Sequence, residues 1–207
     1  MNEYSFIRIK DAFPTENLIG RWVIGLAVIH NDFIFLKDQL YLLSEDISTV
    51  ISKVPASFKL IAASLREAIF YLEESEKQID IKEYISELPP HILKLYSFLT
   101  PLYRTGDQSD LLQRLTNLRN ITYHFSKPHR NEFIKALEEN QNQIIYNEDM
   151  NQHFLYAELI RNSILIHSLL KTEEDEISEL IRSIKSAIDN FIKFSREVNK
   201  YYLKDFL

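Results

Sequence analysis

Between Leu118 and Phe125 the chain reads Leu-Arg-Asn-Ile-Thr-Tyr-His-Phe, which places Arg119, Asn120 and His124 within two helical turns. Arginine offers a planar fork that matches two phosphate oxygens. Histidine, with an ordinary pKa near 6.5, takes and returns a proton at cellular pH. Asparagine can fix a phosphate oxygen, or orient the imidazole, without adding charge. Together these groups meet the needs of RNA cleavage without a metal: activating the ribose 2′-hydroxyl, holding the phosphate and protonating the leaving oxygen. On a helix, residues five apart point about 140° apart, so Arg119 and His124 suit a groove approached from both sides; Asn120 and His124 share a face. A position near a helix C-terminus should favour the protonated imidazole, because the helix dipole is negative there.

The run Arg119-Asn120-Ile121-Thr122-Tyr123-His124 resembles the Arg, four-to-six residues, His signature of HEPN domains, with the Asn that often follows the Arg. The resemblance implies an all-α bundle that dimerises so that two motifs meet in one cleft. It also implies a metal-independent ribonuclease with no cofactor, commonly the toxin of a toxin–antitoxin or phage-defence pair. Arg119 would then bind the scissile phosphate and His124 would act as general acid and base, supported by Asn120. Tyr123, Lys127, His129 and Arg130 would help hold the RNA. The implied partners are a second copy, the RNA and an antitoxin nucleotidyltransferase. Ser126 stands where one HEPN subgroup carries the Tyr that such a partner modifies.

The same spacing recurs at Arg161-Asn162-Ser163-Ile164-Leu165-Ile166-His167, embedded in an apolar run that suits a hydrogen-bonded core histidine. A second reading of the first copy stays open, in which Arg119 pairs with a carboxylate and His124 caps the helix. The protein would then be a non-catalytic HEPN-like module that binds a partner protein or a nucleotide.

Charge is distributed unevenly around the motif. The net charge of −6 opposes broad attraction to nucleic acid. From Arg104 to Lys135, however, six cations face three acids, with His124 and His129 in addition. No His-Glu-x-x-His, phosphate-binding Gly-rich loop or Gly-x-Ser-x-Gly elbow occurs, so metalloprotease, P-loop and α/β-hydrolase chemistry have no support. The chain has no cysteine, which excludes disulfides and thiolate catalysis.

The elements that must position these residues read as helices. Only three glycines in 207 residues suit long helices better than a turn-rich β fold. Residues 1–13 alternate weakly (Tyr4, Phe6, Ile7, Ile9), which predicts a strand or an extended arm over about 1–14. Pro14-Thr15-Glu16 signals a helix start, capped by Thr15 or Asn17. Leu18, Trp22, Gly25, Ile29, Phe33, Leu36, Leu40 and Leu43 then form a seam on a long helix with Trp22 in the core. Pro55 reads as the start of a second helix, with Arg66 and Glu67 at its rim. Pro89-Pro90 and Pro101 bound a short one. The motif helix starts after Thr105-Gly106-Asp107 and ends near Ser126, because Pro128 disfavours helix at Lys127.

Helices follow at 131–139, 150–170 and 173–203, with Gln141 to Asp149 as a polar loop. The last helix repeats Ile177, Leu180, Ile184, Ile188, Phe191, Val198 and Tyr202 on one face, and Asp189, Lys193 and Glu197 as exposed salt bridges on another. The expectation is a single all-α domain over 1–207, with roughly seven helices and the first and last of them long. His30, Asn31 and Asp32 read as a buried polar cluster. The most apolar stretch, Arg21 to Asp32, reads as too short to span a bilayer. Met1 to Lys10 already carries Glu3, Arg8 and Lys10, unlike a signal peptide. The predicted location is cytoplasmic, with no membrane partner.

Overall fold

The structure is a computed structural model that describes residues 7–41, 47–123, 131–143, 155–169 and 174–206, with the side chains of most of them. Among the described residues it is all-α, with nine α-helices and no strand. Three short helices, α1 (Ile9–Ala12), α4 (Ile79–Ser86) and α5 (Pro90–Tyr96), accompany the long α2 (Leu18–Tyr41) and α3 (Ile47–Ser75). A 3-10 turn at Thr100–Leu102 leads to α6 (Ser109–Tyr123), followed by α7 (Asn131–Asn140), α8 (Leu155–Leu169) and the long α9 (Glu174–Leu203).

Two local expectations are corrected, and a third is narrowed to one of its two candidates. Residues 9–12 form a helical turn, closed by the Asp11 and Ala12 amides donating to the Arg8 carbonyl, where an extended arm was expected. Its anchor is Ala12, which is fully buried. The second long helix begins at Ile47, eight residues before Pro55, so this proline lies inside α3. A proline there removes one helical hydrogen bond without ending the helix, and the packing of the rest of α3 outweighs that loss. At the start of α2, Asn17 is the cap: its Oδ1 accepts from the Gly20 amide at 2.9 Å, while Thr15 bonds Glu16 instead.

The core lies between α2, α3 and α9. Trp22, Val23, Leu26, Phe33 and Leu36 share one face of α2. They meet Leu65, Ile69 and Leu72 of α3 and Ile184, Ile188, Phe191, Phe194 and Val198 of α9. Phe33 and Phe191 pack edge-on with ring centroids 5.3 Å apart. Trp22 is a core residue as its place in the seam predicted, edge-on to Tyr84 and Phe194.

The helices α2 and α9 run antiparallel, and three polar contacts mark their register. Asn17 Nδ2 donates to the Tyr202 hydroxyl at 3.0 Å, His30 Nδ1 lies 2.9 Å from Ser195 Oγ, and Lys37 pairs with Asp189 at 2.8 Å. Asp189 therefore bridges to α2 and does not sit in a ladder along its own helix. Glu197 bonds its neighbours Arg196 and Lys200.

The expected buried cluster at residues 30–32 is reduced to His30, since Asn31 and Asp32 are exposed. Ser195 is fully buried and its hydroxyl proton goes to the Ile192 carbonyl at 3.1 Å, so His30 Nδ1–H is the donor to Ser195 Oγ. Burial of the ring, with Arg196 nearby, holds its pKa below the usual value for histidine. The unfolded chain thus takes up a proton more readily than the fold as pH drops below about 6.5. Stability should be full above that pH and fall on acidification, and His30→Gln should flatten the fall. Melting temperatures recorded between pH 7.5 and 5 check this.

Candidate functional site

The motif helix α6 starts against α9 and lies between α3 and α8. Leu111 and Leu112, with Leu115 one helical turn on, point into the core, and this is why the segment docks as it does. Thr116 and Arg66 lock it to α3. Thr116 Oγ1 donates back to the Leu112 carbonyl at 2.8 Å and accepts from Arg66 Nε at 3.0 Å. The Arg66 guanidinium also lies 4.3 Å from the centre of the Phe70 ring. Arg66 is mostly buried, whereas its neighbour Glu67 is exposed. Sequence patterning put both at the rim and missed the part Arg66 plays in fixing α6. The signal was there: a long side chain with an aliphatic stem can occupy an apolar stripe and carry its charge to the edge.

Arg119, Asn120 and Tyr123 fall in the last part of α6, one to two turns beyond Thr116; their side chains are outside the described set. His124, Lys127, His129 and Arg130 lie outside the described residues. The competing pair falls on α8, which packs directly on α6. There Arg161 and Asn162 are half-buried, and the side chain of His167 is not described. Asn140 of α7 donates to Ser163 at 2.9 Å, fastening α7 to this part of α8.

The excess of cations counted along Arg104 to Lys135 is partly cancelled by acids from elsewhere in the chain. Arg104 Nε pairs with Glu73 at 2.6 Å, its terminal nitrogen bonds Glu74, and its backbone amide also donates to Glu73. The Lys77 ammonium and then Arg104 hold the Glu74 carboxyl below its usual range, while Glu73 and Glu74 push the Arg104 guanidinium up. Arg114 faces Asp110 at 4.0 Å, one turn back on its own helix. Neither cation is a bare phosphate-binding group.

Below Arg104 lies a buried hydroxyl relay. The Tyr96 hydroxyl donates to Glu76, and the Tyr103 hydroxyl lies 2.7 Å from it. With the Tyr96 proton committed to Glu76, Tyr103 is the donor in the second bond. Burial pushes both phenols well above their ordinary value, so they stay protonated and join α5 and the 3-10 turn to the end of α3.

A groove runs between the start of α6, the 3-10 turn and α9. It comprises two adjoining hollows of about 360 and 330 Å³ that share Gln108, Leu111 and Ser183. Its floor is Leu102, Leu111 and Ala187. Gln108, Ser183 and Asn190 supply hydrogen-bonding groups, and Arg182 supplies a charge. Among the described residues no three His, Asp or Glu side chains gather as a metal ion would require. Compared with models of known families, with curated proteins and with solved structures, the chain matches none.

Proposed function

We propose that this chain is a metal-independent ribonuclease of the HEPN type. It would act as a homodimer in the cytoplasm, as the toxin of a toxin–antitoxin or phage-defence pair. The observation that supports the reading is that Arg119, Asn120 and Tyr123 fall on α6, in a bundle that is all-α among the described residues. Arg119 grips the scissile phosphate. His124 takes the proton of the 2′-hydroxyl as that oxygen attacks, and its copy in the second subunit returns a proton to the departing 5′-oxygen. Asn120 orients the imidazole, while Tyr123, Lys127, His129 and Arg130 hold the flanking RNA. A nucleotidyltransferase antitoxin is the expected protein partner.

Incubating the purified chain with total RNA, with and without chelator, tests this. Cleavage should persist in chelator and disappear in both Arg119→Ala and His124→Ala. Activity surviving both substitutions removes these residues from the mechanism, and activity abolished by chelator makes this a metal enzyme.

A second reading, a non-catalytic helical module binding a partner protein or a nucleotide, is favoured by one observation. The groove beside Gln108, Ser183 and Arg182 joins an apolar floor to hydrogen-bonding walls, at the size small-ligand sites take. Binding of a nucleotide there with no RNA cleavage would support this module over the enzyme.

A further inference from the structure

The buried face of α2 accounts for Trp22, Val23, Leu26, Phe33 and Leu36, but its opposite face is also apolar. Ile24 is 40% exposed, Val28 54%, Ile34 40% and Phe35 62%. On a helix Ile24, Val28 and Phe35 point within about 40° of one another, with Ile34 on the flank. Such a stripe covers a few hundred Å², the scale at which exposed apolar surface on a folded domain marks a contact site. From Leu18 to Asp38 the helix is also long and apolar enough, by length and composition alone, to cross a bilayer. This corrects the expectation that its apolar stretch is too short.

We infer that this face is where two copies of the chain meet, α2 against α2 and antiparallel. The choice of occupant rests on the charges. Arg21 is exposed at one end of the stripe and Asp38 at the other, while Lys37 is already held by Asp189. A two-fold axis midway between residues 29 and 30 sets Arg21 at the level of Asp38 of the partner subunit, at both ends of the contact. The same axis puts Ile24 opposite Phe35 of the partner subunit, and Val28 beside Asn31 of the partner subunit. A parallel pairing would stack Arg21 on Arg21, Asp32 on Asp32 and Asp38 on Asp38.

Lipid fits less well. Asn31 and Asp32 are exposed midway along the span, where an aspartate in hydrocarbon costs about 2.5–3.5 kcal/mol. Against a second copy Asp32 stays on the wet flank, and Asn31 comes close to its own copy beside the axis. That is a polar contact of the kind that fixes register between paired helices. The apolar stripe runs roughly 16 Å along the helix, and the contact including the end charges Arg21 and Asp38 roughly 25 Å. Two such faces with their polar flanks bury on the order of 1,000 Å², the lower bound for a specific interface.

This surface is separate from the end of α6, which lies against α3 and α8. Pairing through α2 therefore goes beyond the ribonuclease reading and can fail or succeed without it. Light scattering on the full chain at tens of micromolar is the test. The double variant Ile24→Asp, Phe35→Asp should halve the particle mass with helix content unchanged, whether the starting particle is a dimer or a tetramer with its motif ends also paired. Arg21→Asp should weaken association about tenfold, and adding Asp38→Arg should restore it.

Because the chain has no cysteine, Asn31→Cys provides a readout that does not disturb packing. It should form disulfide-linked dimers on mild oxidation, whereas the exposed Lys94→Cys should not. A monomeric wild type overturns the proposal, as does an unchanged mass in the folded double variant. So does Asn31→Cys cross-linking no better than Lys94→Cys. Capture of the wild type by lipid vesicles with no self-association would assign the face to a membrane instead.

Discussion

Replacing Phe194 with alanine should destabilise the fold by about 3–5 kcal/mol, the range for removing a fully buried aromatic ring. Phe194 lies where three elements meet. Its ring centre is 5.1 Å from that of Tyr96 on α5 and 6.5 Å from that of Trp22 on α2, and none of it reaches solvent. Truncation leaves a void lined by two large rings, one of them tied through its hydroxyl to Glu76 and so unable to move in without breaking that bond. For a chain of this length the loss corresponds to a melting point roughly 10 °C lower. A thermal scan of Phe194→Ala beside Phe194→Leu checks it, with leucine expected to recover about half the loss. A drop of only a degree or two would mean that the α2–α5–α9 junction is looser than described.

Gly25→Ala should also destabilise, by about 2–4 kcal/mol, although helix propensity alone predicts a gain of up to about 1 kcal/mol. The reason is Tyr71. Its hydroxyl reaches over α2 to donate to the Trp22 carbonyl at 2.9 Å, and burial pushes its pKa up to about 12. A Cβ on residue 25 would stand 2.0 Å from that oxygen, 2.5 Å from Cζ and 3.1 Å from Cε2. The ring must withdraw, losing its hydrogen bond and its packing together. The distances also say which second change rescues. Tyr71→Phe removes only the nearest atom and leaves Cζ too close, so it should fail. Tyr71→Leu, which removes the far edge of the ring, should bring Gly25→Ala back toward the Tyr71→Leu background. Denaturant melts of the four chains form the double-mutant cycle that decides it.

The helical architecture was legible because apolar residues recur at three and four along α2 and α9, and no competing period does. Trp22, Phe33, Phe191 and Val198 are buried as that repeat requires. What misled was punctuation and pairing at a distance. Pro55 carries a strong start signal, yet tertiary contacts along α3 override it. Arg104 counted toward a local excess of cations because its partners, Glu73 and Glu74, lie about thirty residues earlier and no local pattern joins them. Arg66 looked like a rim residue because composition does not reveal that Thr116 stands opposite. The motif itself was legible by residue type, since a cation, an amide and an imidazole are recognisable wherever they occur. Its surroundings depend on how α6 meets α3 and α8, which no spacing within 119–124 encodes.

The antiparallel seam between α2 and α9 bears on how the chain comes into being. Tyr202 donates to the carbonyl of Ala12, 190 residues away, and Ile184 to Val198 supply one whole wall of the interior. During synthesis α2 and α3 must therefore wait, with Trp22, Leu26 and Phe33 uncovered, until α9 has left the ribosome. Until α9 emerges those apolar faces stay open to aggregation, and cooperative folding of the bundle waits for it.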